Sequence, residues 1–153
     1  MELKCDIAEV NDTALYYEED GEGHPVVLVH GHTVDSRMWD DQIEHLRSKY
    51  RVIRYDSRGY GRSAIPSNKK YAHTDDLKAL LDHLEVSRAH VIGLSMGGLI
   101  ALDFALAWPE TVSSLVTVDA VLGGYDWNEA GNLIRSVHRT ALKHGVEEAK
   151  NVW

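Results

Sequence analysis

Short apolar runs alternate with segments of helical periodicity along this chain, and that alternation restricts the fold more than any other feature. Strand-like runs are expected at Lys4–Val10, Thr13–Glu19, Pro25–His30, Tyr50–Tyr55, Ala89–Leu94 and Val112–Asp119. The first two are joined by Asn11-Asp12, which indicates an antiparallel hairpin. The run at Pro25–His30 is apolar at nearly every position, as in parallel strands that are buried on both faces.

Helical spacing lies between these runs. It is expected near residues 39–46 and at Thr74–Leu84, Met96–Ala107 and about Asn128–His144. Thr74 is placed to cap its helix, with Asp75 and Asp76 in the first turn, where the helix dipole favours anions. Alternating strands and helices predict an α/β fold with a mostly parallel sheet and right-handed crossovers. Ligands of such folds bind beyond the carboxyl ends of the strands.

The composition argues against several classes of function. The chain has 153 residues, which suits one domain, and a net charge of −8, which argues against nucleic acid or an anionic membrane as main partner. Its single cysteine, Cys5, excludes an intrachain disulfide and fits a reducing compartment. The acidic N-terminus does not resemble a secretory signal and no apolar run approaches a membrane span, so we expect a cytoplasmic protein. We expect neither a metal site nor a cofactor.

The stretch Gly93-Leu94-Ser95-Met96-Gly97 joins an expected strand to an expected helix. In this setting a G-x-S-x-G pattern indicates a sharp turn that exposes the serine hydroxyl, with small residues needed on both sides. The helix that starts at Met96 offers backbone N–H groups that can hold a developing oxyanion. We interpret Ser95 as a nucleophile; the alternative is a glycine-rich turn with a capping serine.

The stretch His30-Gly31-His32 ends the apolar run that starts at Pro25. A loop at this position can bring the backbone N–H of His32 opposite that of Met96, and the two would form an oxyanion hole. Gly31 allows the backbone to approach closely. We interpret His30 as a structural histidine that hydrogen-bonds the loop, and not as the catalytic base.

The stretch from Asp56 to Ser63 reads DSRGYGRS and follows the expected strand at Tyr50–Tyr55. Asp56 and Arg58 are two residues apart and are followed by two glycines, which indicates a turn held by charge. We assign both residues a structural role that supports the site and takes no part in the chemistry.

In this order the three motifs resemble the α/β-hydrolase family, and the resemblance extends from about Ala14 to about Val121. It implies a central sheet in the order 1-2-4-3-5-6, with an antiparallel first pair of strands and Ser95 as nucleophile. It also implies a core over residues 1–125 and the start of a helical cap over residues 126–153, with strands seven and eight absent. A serine nucleophile implies acyl chemistry on small carboxylic esters or lactones; perhydrolases and carbon–carbon-bond hydrolases share the G-x-S-M-G-G form.

The resemblance also defines what this chain lacks. The family's catalytic acid and histidine follow strands seven and eight, and one variant has the acid after strand six, where Asp119 stands. After Ser95 the remaining histidines are His138 and His144, both on the expected cap helix. We therefore expect the catalytic histidine to lie outside these 153 residues, with Asp119 as the candidate acid inside them.

Three explanations of the missing partners stay open. The chain is part of a longer hydrolase, or a second polypeptide completes it, or a half-domain persists as a homodimer through the exposed edge of strand six. We favour the first explanation. The competing function is a catalytically inactive ligand-binding or dimerising module on the same fold.

Overall fold

The computed structural model describes residues 3–67, 69–120 and 128–152, and the chain divides into two compact units, residues 1–121 and 122–153. In the described part of the first unit the strands are β1 (Lys4–Val10), β2 (Thr13–Asp20), β3 (His24–Val29), β4 (Tyr50–Tyr55), β5 (Ala89–Leu94) and β6 (Val112–Val118). Its α-helices are α1 (Asp40–Leu46), α2 (His73–His83) and α3 (Met96–Ala107), with short 3₁₀ turns at Ser36–Trp39 and Pro109–Thr111. The second unit contains α4 (Asn128–His144) and α5 (Val146–Lys150).

The strands form one sheet in the order β1-β2-β4-β3-β5-β6, which confirms the order that the family resemblance implies. β1 pairs antiparallel with β2, and β2 pairs antiparallel with β4. The pairs β4-β3, β3-β5 and β5-β6 are parallel. The carboxyl ends of β3 to β6 therefore meet at one edge of the sheet, which is where a ligand is expected in such folds.

Burial on both faces explains the apolar run in β3. Val27 and Val29 pack into a large cluster with residues of α2 and α3, whereas Val26 and Leu28 pack into a second cluster with Trp39. Each of the four β3 side chains is at most 2% exposed. Because successive side chains of a strand point to opposite faces, a strand covered on both faces needs an apolar residue at every position.

The start of α2 differs from the prediction. The helix begins at His73, and its N-cap is Ala72, which has no side-chain capping bond, so the predicted cap at Thr74 is wrong. Asp76 lies in the first turn as expected, but it is only 1% exposed and pairs with Arg58. Its burial therefore reflects a tertiary contact rather than the helix dipole alone.

The strand β6 lies at an edge of the sheet and is the least covered of the four parallel strands. Val116 and Val118 are 47% and 41% exposed, which agrees with the open apolar edge expected for strand six. Such an edge presents unpaired backbone groups to another strand. Among the helices that the structure describes, none combines the length and the apolar character needed to cross a membrane.

The described residues of the second unit include α4 and α5, with Gly145 between them. The bounds of α4 confirm the helix predicted from its apolar spacing. Gly145 has a φ of 88°, which glycine adopts more readily than other residues, and its N–H donates to the carbonyl of Ala141 at 3.0 Å at the end of α4. The predicted boundary between core and cap, at residues 125 and 126, lies outside the described residues and stays a prediction.

Candidate active site

Ser95 stands between β5 and α3 in a strained backbone conformation. Its φ is 53° and its ψ is −112°, a combination that residues with a side chain rarely adopt. Its N–H donates to the carbonyl of Val118 at 2.8 Å, and its carbonyl accepts from the N–H of Leu99 at 3.1 Å. Both backbone groups are thereby fixed, whereas no hydrogen bond to the hydroxyl is seen among the described residues.

Two glycines allow the helix to approach the strands at this turn. A Cβ on Gly93 would collide with the carbonyl of Gly97, and a Cβ on Gly97 would collide with the carbonyl of Val29 in β3. Backbone therefore packs directly on backbone on both sides of Ser95. A larger residue at either position would force α3 away from the sheet, which explains the spacing of the G-x-S-x-G pattern.

The loop after β3 runs beside the serine turn. Gly31 is buried, and a Cβ built on it would lie 3.0 Å from Leu94 Cδ2 and 3.7 Å from Ser95 Cβ. His32 follows on the same loop and is exposed. Within the part of the chain that the structure describes, no acceptor is seen for the backbone N–H of His32 or that of Met96. The absence of a protein acceptor is one of the conditions that an oxyanion donor must meet.

His30 is fully buried and uncharged. Its Nε2 accepts from the backbone N–H of Ser57 at 2.9 Å, so the ring proton is on Nδ1, which donates to the carbonyl of Gly31 at 2.8 Å. Burial lowers the pKa of His30 below its usual value. Since both ring nitrogens are occupied, His30 connects two loops and has no nitrogen left to act as a base.

Asp56 holds the turn that follows β4. One of its carboxylate oxygens accepts from the N–H of Ser36 at 2.9 Å, and the other accepts from the N–H of Arg62 at 2.8 Å. The side chain is fully buried. Asp56 therefore joins its own turn to the segment that precedes α1.

Arg58 is anchored separately. Its guanidinium forms a bidentate pair with Asp76 of α2, with 2.9 Å between Nε and Oδ2 and 2.6 Å between Nη2 and Oδ1. The two side chains are 3% and 1% exposed. Asn11 completes the cluster, because its carbonyl accepts from Arg58 and its amide donates to Asp76. The single charge-held turn predicted from Asp56 and Arg58 is therefore two anchors with different partners.

Tyr60 is the residue near the site that the sequence patterns did not indicate. It lies between Gly59 and Gly61 in the turn after β4. Its hydroxyl is 2.6 Å from Nδ1 of His32 and 3.3 Å from Sδ of Met96. Burial raises the pKa of the Tyr60 hydroxyl, so the group is protonated at neutral pH. The signal in the sequence is one aromatic residue in an otherwise small and polar turn.

Asp119 follows β6 at the same edge of the sheet. It is exposed, has a φ of 47°, and makes no side-chain hydrogen bond within the described residues. It is the next residue after Val118, whose carbonyl accepts the N–H of Ser95. The fold therefore brings Asp119 to the edge that holds Ser95, without joining it to a histidine.

No histidine of the described ranges hydrogen-bonds to Ser95. His24 and His90 lie at the amino ends of β3 and β5, which is the opposite edge of the sheet from Ser95. They hydrogen-bond there to the hydroxyls of Ser113 and Ser114. His138 and His144 are exposed on α4, in the second unit. The same described residues contain no group of three His, Cys, Asp or Glu side chains that could hold a metal ion.

Comparison with known proteins identifies relatives of this chain. A model of the alpha/beta hydrolase fold family matches residues 24–140. The chain is 37% identical over 130 residues to a putative carbamate hydrolase RutD of Azorhizobium caulinodans, a match that covers 84% of this chain and 47% of that protein. It is 32% identical over 144 residues to 3-oxoadipate enol-lactonase 2 of Acinetobacter baylyi, covering 90% and 54%. The chain thus spans about half the length of the curated relatives it matches.

A solved structure shows the same relationship in three dimensions. A thermophilic esterase of Thermogutta terrifontis, with malate bound, aligns with a TM-score of 0.77 and 31% sequence identity. The alignment covers 93% of this chain and 54% of the esterase. The fold of this chain therefore also occurs as part of a larger protein.

Proposed function

Because the chain belongs to the α/β-hydrolase fold family, we propose that it carries the nucleophile and oxyanion hole of a serine hydrolase for small carboxylic esters or lactones. The observation that carries this proposal is the setting of Ser95. Among the described residues, a strained turn presents a hydroxyl that has no hydrogen-bond partner, and the backbone amides of Met96 and His32 have no acceptor. Acyl transfer needs a nucleophile and oxyanion donors at a short distance from one reacting carbonyl.

The proposed reaction begins when Ser95 Oγ attacks the substrate carbonyl carbon and its proton passes to a general base. The amides of His32 and Met96 hold the oxyanion that forms. The bond from carbon to the leaving oxygen breaks as the base returns the proton to that oxygen, which leaves an acyl group on Ser95. Water, deprotonated by the same base, then attacks the acyl carbon. The bond from that carbon to Ser95 Oγ breaks as the base returns the proton to Oγ, which releases the carboxylic acid and the free serine.

We assign the general base to a histidine outside these 153 residues. His30 has both ring nitrogens occupied, and Nδ1 of His32 is bound to Tyr60. Asp119 is the candidate acid within the chain because it lies at the same edge of the sheet as Ser95. A longer chain, or a second polypeptide that pairs along β6, would supply the histidine.

The substrate class rests on the relatives. One is named an enol-lactonase and another an esterase, and an ester and a lactone present the same carbonyl to a serine nucleophile. The chemistry needs no metal ion and no cofactor, because the amides of His32 and Met96 stabilise the developing charge. The exposed thiol of Cys5 fits the reducing cytoplasm, where we expect the protein to act.

Covalent labelling of the serine tests the proposal. The protein to test is this chain together with the segment that supplies the histidine. In that protein we expect a fluorophosphonate to label Ser95 once per chain, and Ser95→Ala to abolish both the labelling and the turnover of p-nitrophenyl acetate. The matched control is Ser87→Ala, which removes an exposed loop hydroxyl and should leave both intact. Equal turnover in Ser95→Ala and in the unchanged protein would show that Ser95 is not the nucleophile.

The competing function is an inactive module that binds a ligand or dimerises. One observation favours it, the exposed apolar edge at β6, where Val116 and Val118 are 47% and 41% exposed. An edge of this kind can pair with a second copy of the chain. Sedimentation at several concentrations separates the two functions: a dimer that Val116→Lys disrupts, together with no labelling of Ser95, would support the inactive module.

A further inference from the structure

Tyr60 lies in a turn that is held by hydrogen bonds between its own backbone groups. The N–H of Tyr60 donates to the carbonyl of Ser57 at 2.9 Å, and the carbonyl of Tyr60 accepts from the N–H of Ser63 at 3.0 Å. The N–H of Gly59 donates to the carbonyl of Ala64 at 2.9 Å. Because Asp56 also fixes this turn from inside, Tyr60 has little freedom to move relative to the sheet.

The hydroxyl of Tyr60 lies between the side chains of the two residues that supply the proposed oxyanion donors. It is 2.6 Å from Nδ1 of His32 and 3.3 Å from Sδ of Met96. The ring also packs edge-on against His30 and His32, with centroid distances of 5.1 and 5.8 Å. One side chain therefore contacts both the loop after β3 and the first residue of α3.

We propose that Tyr60 is a positioning residue that sets the distance between the two halves of the oxyanion hole by holding the side chains of His32 and Met96 together. The inference rests on the proposed function, because it concerns the same pair of amides. It gives the turn after β4 a role in the chemistry that acts through His32 and Met96.

The need for such a contact follows from the origin of the two amides. The N–H of Met96 is fixed by α3 and by the strained turn at Ser95, whereas His32 lies on an exposed loop followed by Thr33, whose φ is 66°. Donors of an oxyanion hole act fully only within about 0.5 Å of the right position. A hydrogen bond from the rigid turn to His32 restrains the loop at the residue whose amide is needed.

The decisive variant is Tyr60→Phe, which removes the hydroxyl and keeps the ring against His30 and His32. The oxyanion exists only in the transition state and the tetrahedral intermediate, so a displaced amide should lower kcat and leave KM nearly unchanged. Removing an oxyanion donor costs about 100- to 1,000-fold in kcat, and we expect about tenfold for displacing one. The rate of fluorophosphonate labelling of Ser95 should fall by the same factor.

The matched control is Tyr71→Phe. Tyr71 stacks on the guanidinium of Arg58, at 4.5 Å from the ring centroid, and its hydroxyl makes no hydrogen bond among the described residues. Its kcat, KM and labelling rate should equal those of the unchanged protein. An equal loss in Tyr71→Phe, or a loss in Tyr60→Phe that appears in KM alone, would overturn the positioning role.

A double-mutant cycle locates the contact that matters. His32→Ala removes the imidazole and keeps the backbone N–H, so it should lower the labelling rate about as much as Tyr60→Phe. Combining the two should cost no more than either change alone, because both break the same contact. Additive losses would overturn the proposal.

Two outcomes separate the role of Tyr60 from the proposed function. Unchanged labelling in Tyr60→Phe, with labelling abolished in Ser95→Ala, would refute the role of Tyr60 and leave the proposed function standing. Labelling that persists in Ser95→Ala would refute the function itself.

Discussion

The backbone N–H of Ser95 donates to the carbonyl of Val118 at 2.8 Å, so the serine turn is fastened to the edge strand β6 as well as to its own strand β5. The helix that follows is seated on a third strand, because Gly97 packs against the carbonyl of Val29 in β3. The position of the hydroxyl therefore depends on backbone contacts with neighbouring strands. Changes at those contacts should affect the nucleophile without touching its side chain.

Gly97→Ala tests this dependence. The added Cβ would collide with the carbonyl of Val29, and the helix would have to move away from the sheet. We expect a loss of about 1–3 kcal/mol in the free energy of unfolding, as for other overpacked sites, and a much slower labelling of Ser95. Chemical denaturation and fluorophosphonate labelling measure the two effects.

The control for that variant is Gly131→Ala in α4. The nearest atoms to a Cβ on Gly131 would be those of the Arg135 guanidinium, at 3.5 Å or more, and alanine favours a helix interior over glycine by about 0.5–1 kcal/mol. Helicity should rise slightly and labelling should not change. A Gly97→Ala protein that labels at the normal rate would contradict the tight seating of α3.

Asp76→Asn should be strongly destabilising. The substitution leaves the guanidinium of Arg58 buried without its charge partner, and breaking a buried ion pair in this way costs about 3–5 kcal/mol. Denaturant titration of the variant and of the unchanged protein gives the difference directly.

The control is Asp82→Asn on the same helix. Asp82 pairs with Lys78 one turn earlier, and its side chain is 62% exposed. An exposed pair of this kind contributes about 0.3–0.5 kcal/mol, so the loss should be small. Similar losses in the two variants would mean that burial does not strengthen the Arg58–Asp76 pair.

Acid should weaken the fold through His30. Burial lowers the pKa of His30 from the ordinary value of 6.5, so below that pH the unfolded chain binds the proton more readily than the folded one. The free energy of unfolding contributed by neutral His30 is complete above about pH 6.5 and is lost as the pH falls towards the folded pKa. His73 is shifted in the same direction by burial and adds to the effect.

His30→Gln isolates the contribution of His30. Glutamine can still accept the N–H of Ser57 but does not titrate, so its free energy of unfolding should fall less steeply between pH 7 and pH 5. His45→Gln changes an exposed histidine on α1 and should keep the full pH dependence. Denaturant midpoints at half-unit pH steps give the slopes. A slope in His30→Gln as steep as that of the unchanged protein would assign the effect to other groups.

Local patterns were sufficient to predict most of the fold. The bounds of β4, β5 and α3 are those expected from the sequence. In β5 the buried residues alternate with half-buried ones, so the apolar stretch marks a strand with one face more fully covered than the other. The serine turn could also be predicted from the sequence. The G-x-S-x-G spacing puts glycine at positions 93 and 97, where a Cβ would collide with backbone.

Contacts between residues that are far apart in the sequence could not be predicted from local patterns. Asp76 has the position of an ordinary first-turn acid, and nothing near it in sequence indicates that Arg58, 18 residues earlier, is its partner. Tyr60 meets His32 and Met96 across 28 and 36 residues. Such partners depend on how the loops at the sheet edge converge, which the local periodicity of the sequence does not encode.

The two hydrogen bonds of His30 have a mechanical consequence. Its ring bridges the carbonyl of Gly31 and the N–H of Ser57. The segment that bears His32 and the segment that bears Tyr60 are therefore connected by the same side chain. A displacement of either segment should therefore shift the other one through the uncharged imidazole of His30. A substrate that displaces His32 would therefore meet the stiffness of both loops, and the resistance should weaken in acid, when His30 takes up a second proton.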